Sequence, residues 1–246
     1  MKLKKDERID ELQCGNLKII QNKQGFCFGI DSVILTEFAD KIKTTDNVLD
    51  LGTGTGILGL LVYGKRKPNS IVGVEIQEEV ADMAKRSVEL NKLEKNIKII
   101  NEDINKIIDK NLIEKNYFDI VITNPPYKEI NTGLINDNEK KLISRHEIKA
   151  SLEDFIKVAA AALKDKGILY MVHRPERLVD IIYLLRKYKV EPKEIRFVCP
   201  NIDKASNLVL IKCVKGGNKF LKINKVLYIY NKDGEYSEEI KKIYNK

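Results

Sequence analysis

The chain has 246 residues, 43% of them hydrophobic, with 44 Lys and Arg against 36 Asp and Glu and a net charge of +8. That apolar content excludes a disordered chain, and the length suits one α/β domain with a sizeable core. No apolar run approaches the ~20 residues of a membrane span, and the charged start Met1 to Glu7 lacks a signal core, so the expectation is a cytoplasmic protein with no membrane partner.

In chain order, Leu17 to Ile20 alternates as a strand does, and Gly25 to Gly29 reads as a tight extended segment. Phe26 and Phe28 within it are core residues or walls of a pocket. Asp31 suits the cap of a helix from Ser32 to Ile42. Val48 to Leu51 is an apolar strand that runs into Gly52-Thr53-Gly54-Thr55-Gly56 and then a helix. Such a loop lets a ligand approach the backbone, and the helix N-terminus attracts negative charge. The next strand, Ile71 to Glu75, ends on a carboxylate that can accept from both hydroxyls of a ribose. Gly54-x-Gly56-x-x-Gly59 followed by Glu75 also satisfies the dinucleotide fingerprint, so an NAD-dependent oxidoreductase is an open alternative on spacing alone.

Glu78 to Asn91 has helical periodicity, with Val80, Met83, Ala84, Val88 and Leu90 on its stripe. Ile97 to Ile100 is a third strand, and Asp103 beyond it suits a helix cap. Phe118 to Thr123 is a fourth, stopped by Asn124-Pro125-Pro126-Tyr127 because proline cannot donate to a sheet ladder. Residues 128–150 carry no periodicity and read as a substrate-binding loop. Ser151 and Asp154 open a capped helix to about Leu163, Gly167 to Val172 is a fifth strand, and Pro175 begins a helix ending near Tyr188. Ile195 to Val198 and Asn207 to Ile211 suggest an antiparallel pair, and residues 219–246 a last strand and a short helix. The four cysteines show no C-x-x-C spacing, so reduced thiols and no metal site are expected. The basic charge favours a nucleic-acid partner, although composition bias explains it equally well.

Asn124-Pro125-Pro126-Tyr127 resembles motif IV of the S-adenosylmethionine-dependent amino-methyltransferases, and Asp50-x-Gly52-x-Gly54-x-Gly56 resembles motif I of class I methyltransferases. The resemblance implies a Rossmann-like α/β fold: a mostly parallel, seven-stranded sheet with helices on both faces and the last strand antiparallel. It implies S-adenosylmethionine held by Asp50, Gly52, Thr53, Gly54, Gly56, Glu75, Ile76, Asp103, Ile104 and Asn124. Asp103, with Glu102 as the alternative, takes the position that meets the adenine amine. Asn124 and Pro125 would accept from the protons of the target amine, while Tyr127 stacks on its ring.

Gln21 to Asp31, Arg145-His146-Glu147 and His173 to Leu178 narrow the resemblance to the bacterial tRNA (adenine-N6)-methyltransferases that modify the adenosine beside the anticodon of valine tRNA. That implies a tRNA partner, weaker substrate contacts at Phe26, Phe28, Arg145, His146, His173 and Arg174, and a monomer. Within the class, a protein glutamine N-methyltransferase is the rival, since it uses the same tetrapeptide on a planar amide. Such enzymes carry a larger N-terminal domain, and only about 40 residues precede motif I here. The expected organisation is an N-terminal extension, 1–44, packed on a catalytic domain, 45–246.

Overall fold

A computed structural model describes residues 3–12, 14–23, 29–127 and 150–244. The chain opens with an antiparallel pair, β1 (Glu7–Glu11) and β2 (Lys18–Asn22), which forms its own small sheet. Helix α1 (Ile30–Phe38) follows. Then come β3 (Asn47–Leu51), α2 (Ile57–Arg66), β4 (Ser70–Glu75), α3 (Glu78–Leu90) and β5 (Ile97–Asn101). A 3-10 turn at Ile104–Lys106 leads towards β6 (Phe118–Thr123). The second half holds α4 (Leu152–Ala162), β7 (Leu163–His173), α5 (Leu178–Lys187), β8 (Val190–Cys199) and β9 (Leu208–Lys215). Two short strands, β10 (Lys222–Ile223) and β11 (Leu227–Tyr228), and α6 (Glu238–Ile243) complete it.

The strands from β3 onward form one nine-stranded sheet, ordered β10-β8-β9-β7-β6-β3-β4-β5, with β11 also on β8. Every pairing is parallel except those of β9, which runs antiparallel to both β7 and β8. The mostly parallel sheet and its late antiparallel strand are as expected. The count is two higher than expected because β10 and β11, each of two residues, both add in parallel to β8. Two residues are too few to carry a hydrophobic period, so only the neighbouring strand defines them.

Side chains alternate across the strands and build a core on each face. Val48, Ile120 and Ile122 pack on one side with α1 and α2, while Leu49, Leu51 and Val121 pack on the other with α4 and α5. From β3 the chain winds outward through β4 to β5, then returns to β6 on the opposite flank of β3. That reversal opens a crevice at the carboxyl ends of β3 and β6, the place where doubly wound sheets bind ligands.

Two expectations about α1 are corrected. The helix starts earlier, with Gly29 at its N-cap, and ends at Phe38, where Ala39 leaves helical geometry. Asp31 therefore lies inside the first turn and does not cap it; its carboxylate reaches Tyr127. The Ser151 cap is present, with the full reciprocal box to Asp154. The N-terminal pair is tied to α3: Asn91 bonds both the N–H and the carbonyl of Lys18, and Ser87 Oγ accepts from Ile20 N–H at 2.9 Å. Arg86 forks onto Glu7 with both terminal nitrogens. Cys14, Cys199 and Cys213 are free and buried. Among the described residues no helix is long and apolar enough to cross a membrane.

Candidate active site

The glycine loop begins where β3 stops. Gly52 and Thr53 donate their N–H groups to the Val74 carbonyl at 3.0 and 2.9 Å, which folds the loop over β4. Gly52 sits at φ +73°, and a Cβ there would meet the Phe155 ring at 3.2 Å. Gly56, at φ +88°, is the N-cap of α2, so the loop leads directly into the helix N-terminus.

Two buried carboxylates flank this loop. Asp50 is fully enclosed; its Oδ2 accepts from the Thr53 hydroxyl at 2.5 Å, and its Oδ1 has no hydrogen-bond partner among the described residues. Burial, reinforced by the nearby charge of Glu75, raises its pKa to about 7. Glu75, at the end of β4, accepts from Gly54 N–H at 3.0 Å and Gln77 N–H at 2.9 Å, and burial raises its pKa too. Two carboxylates so placed call for a ligand that brings positive charge and hydroxyl donors. S-adenosylmethionine has both, an ammonium and a sulfonium beside a ribose, so the residues present fit it.

Across the β4–β5 end, Asn101 Nδ2 donates to the carbonyls of Glu75 and Ile76 at 2.9 and 3.1 Å. Asp103 is half-buried; its Oδ1 caps the 3-10 turn by accepting from Asn105 N–H at 2.9 Å, and Ile104 beside it is buried. Glu102 is held away from this role by an ion pair with Lys110. Among the described residues no group of three or more His, Cys, Asp or Glu could hold a metal ion.

On the other side of the crevice β6 delivers the Asn124 turn. Thr123 Oγ1 donates to the Leu51 carbonyl at 2.8 Å, so the turn is registered against the end of β3. Asn124 is half-buried, Pro125 buried and Pro126 exposed. The Tyr127 hydroxyl lies 2.8 Å from Asp31 Oδ2 and 2.7 Å from Asn124 Oδ1. Burial, then the charge of Asp31, pushes the phenol well above its usual range, so it stays protonated. His173 meets the Tyr127 ring edge-on with centroids 5.2 Å apart, and the Arg174 guanidinium lies over the ring at 5.1 Å. His173 is almost wholly buried; its Nδ1 accepts from Arg174 N–H at 2.8 Å, and burial lowers its pKa to about 4. The ring is therefore neutral with its proton on Nε2. Arg174 is anchored to the Asn207 carbonyl at 2.9 Å.

The crevice thus gathers Asp50, Gly52, Thr53, Gly54, Gly56, Glu75, Ile76, Asp103, Ile104 and Asn124 along one edge of the sheet. His173 and Arg174 stand behind and over Tyr127. Phe26, Phe28, Arg145 and His146, with residues 128–149 of the expected substrate loop, lie outside the described residues. The residue that sequence reasoning did not assign to the site is Asp31. Its only local signal is an acid just after a glycine at a helix start, which reads equally as a cap; its partner is 96 residues away.

The chain is similar to several known proteins. Over 221 residues the chain is 25% identical to a tRNA1(Val) (adenine(37)-N6)-methyltransferase of Haemophilus influenzae, covering 89% of this chain and 90% of that one. A protein of the same name from Pedobacter heparinus is 26% identical over 86% of each chain. Among solved structures, a predicted O-methyltransferase from Agrobacterium tumefaciens superposes with a TM-score of 0.70 at 22% identity, covering 87% of this chain and 95% of that one. The Pyrococcus horikoshii TYW2 complex with MeSAdo gives 0.60 at 15% identity, over 87% and 73% of the two chains. The structural likenesses establish the expected Rossmann-like methyltransferase fold. The methyltransferase small domain model matches residues 28–189, from before α1 to the end of α5, and the chain belongs to that family.

Proposed function

We propose that the protein is an S-adenosylmethionine-dependent N-methyltransferase that modifies the exocyclic N6 of an adenosine in tRNA, the one beside the anticodon of valine tRNA. The observation that carries this reading is the Asn124-Pro125-Pro126-Tyr127 turn set against the Asp50–Glu75 crevice in a chain of this family. The names of its relatives supply the acceptor.

When bound, S-adenosylmethionine supplies an electrophilic methyl group on a sulfonium. Glu75, at the end of β4, would accept from the ribose hydroxyls. Asp50, buried beneath the loop, would lie close to the methionine part, and Asp103 would accept from the adenine amine. An exocyclic amine is a weak nucleophile because its lone pair is delocalised into the ring. Asn124 Oδ1 and the Pro125 carbonyl accept from its two protons, favour a pyramidal nitrogen and release the lone pair for in-line attack. They act where positive charge grows during transfer, where preorganised dipoles contribute most. The cation so formed loses its proton to solvent, so no dedicated base is required. The acceptor ring stacks on the face of Tyr127 that Arg174 leaves, an interaction worth ~1–3 kcal/mol per base.

The test supplies radiolabelled S-adenosylmethionine with unmodified bulk tRNA and, separately, a cell protein extract. Label in tRNA, recovered as N6-methyladenosine after nucleoside digestion, is the expected result. Label in protein alone would move the acceptor to a glutamine amide and overturn the tRNA reading.

A further inference from the structure

Two polar side chains meet at the Tyr127 hydroxyl, and their chemistry does not balance as drawn. Asp31 Oδ2 lies 2.8 Å from it and Asn124 Oδ1 lies 2.7 Å from it. A phenol carries one proton, so it can donate to one of these oxygens. An oxygen left at 2.7 Å with no proton between would be repelled. The carboxylate wins the proton, because a charge-assisted bond is about twice as strong as one to a neutral amide. Asp31 also lies in the first turn of α1. The contact at 2.7 Å must then be made from the other end of the amide. A half-turn about its last torsion exchanges oxygen and nitrogen at the same positions, and Asn124 Nδ2 then donates to the hydroxyl's lone pair.

We propose that Asp31 is a positioning residue: through the Tyr127 hydroxyl it fixes the Asn124 amide with Nδ2 towards Tyr127 and Oδ1 towards the acceptor. The proposal rests on the reading of Asn124 as the group that meets the reacting amine, and deepens it. Its consequence is the polarity of the site. With Oδ1 outward, Asn124 selects an acceptor that brings N–H donors to the reacting atom. Without Asp31 the hydroxyl proton turns to Asn124 Oδ1, the amide's NH2 swings outward, and it opposes an amine head-on. The bonds run from α1 to the Tyr127 ring and back to Asn124, joining the helix start to the turn after β6. His173 and Arg174 brace the same ring from its edge and face, which keeps the hydroxyl in place.

Two measurements test this. In the wild-type chain with cofactor bound, the Asn124 side-chain amide protons should give a nuclear Overhauser contact to the Tyr127 ring protons beside the hydroxyl, and Asp31→Ala should abolish it. Absence of that contact in the wild type overturns the proposal whatever the acceptor is. The second is a cycle of Asp31→Ala, Tyr127→Phe and the double variant, assayed on unmodified tRNA and checked for folding by thermal melts. Asp31→Ala should lower kcat roughly 10–100-fold, the scale on which losing an orienting partner acts, with the cofactor Kd little changed. In the Tyr127→Phe background the same change should cost less than about twofold, because the hydroxyl it acts through is gone. A full loss in that background overturns the proposal, since a bracing role would survive removal of the hydroxyl. If wild-type enzyme leaves tRNA unlabelled, the acceptor reading fails on its own and the amide contact still decides Asp31.

Discussion

Asp50 and His173 are both buried beside the crevice, and they answer pH in opposite senses. The pKa of Asp50 is raised from 3.8 to about 7 by burial, so the folded chain holds its proton where the unfolded chain has lost it. Its contribution to stability is complete below about 4 and is lost as pH rises through about 7. His173 is lowered from 6.5 to about 4 by burial, so its contribution is present above 6.5 and is lost as pH falls through about 4. Thermal melts of the cofactor-free chain between these limits should separate the two. Asp50→Asn gains on the wild type as pH rises towards 7, whereas His173→Gln gains on it as pH falls towards 4. A cationic ligand in the crevice favours the ionised form of the nearby Asp50, so cofactor affinity by calorimetry should strengthen as pH rises towards 7. Asn124→Ala should lower kcat about 10²–10³-fold, as loss of one preorganised group does, with cofactor affinity by calorimetry within about twofold of wild type. Equal loss of both would remove Asn124 from the acceptor side. Asp50, Glu75 and Asn124 are legible in the sequence because each ends a strand in a short motif. Asp31 is not, since nothing near residue 31 encodes a ring delivered by the end of β6.

At the scale of elements, the N-terminal strand pair is held mainly by polar clamps onto α3. The Glu7–Arg86 fork is the most enclosed, with side-chain exposures of 5% and 13%. Glu7→Ala leaves Arg86 with Asp82 as a remaining partner and should cost about 1–3 kcal/mol in urea unfolding. A cost within the noise would assign the pair's attachment to Ile19, buried in the core it shares with α1 and α2, and to Ile20, also fully buried. Ser151→Ala should cost about 1 kcal/mol through loss of the α4 cap. The long elements are readable from period and punctuation. α3 is a case in point, although its buried face includes Ala81 and Ser87 while Val80 and Leu90 of the expected stripe are only half-buried. Ser87 is inside because its hydroxyl spans two backbones, accepting from Ile20 N–H and donating to the Met83 carbonyl. A polar residue with that job breaks a hydrophobic stripe without breaking the helix.

For the whole molecule, alternation of strand and helix was enough to predict the parallel sheet and the edge where its loops converge. The direction of β9 is also readable, because a short connection after β8 favours an antiparallel return. The net charge of +8 bears on the partner and not on the fold. If tRNA is bound through its phosphates, log affinity should fall steeply and linearly with log salt; a flat response in filter binding would remove the backbone from recognition. The bond between Asp31 and Tyr127 spans 96 residues, and this has a bearing on how the protein is made. A ribosome adding ~5–20 residues per second takes roughly 5–20 s to cover that gap. Through that interval Asp31 lacks the ring that it holds in the folded chain. The crevice therefore cannot close around Tyr127 until β6 has been synthesised and has inserted beside β3.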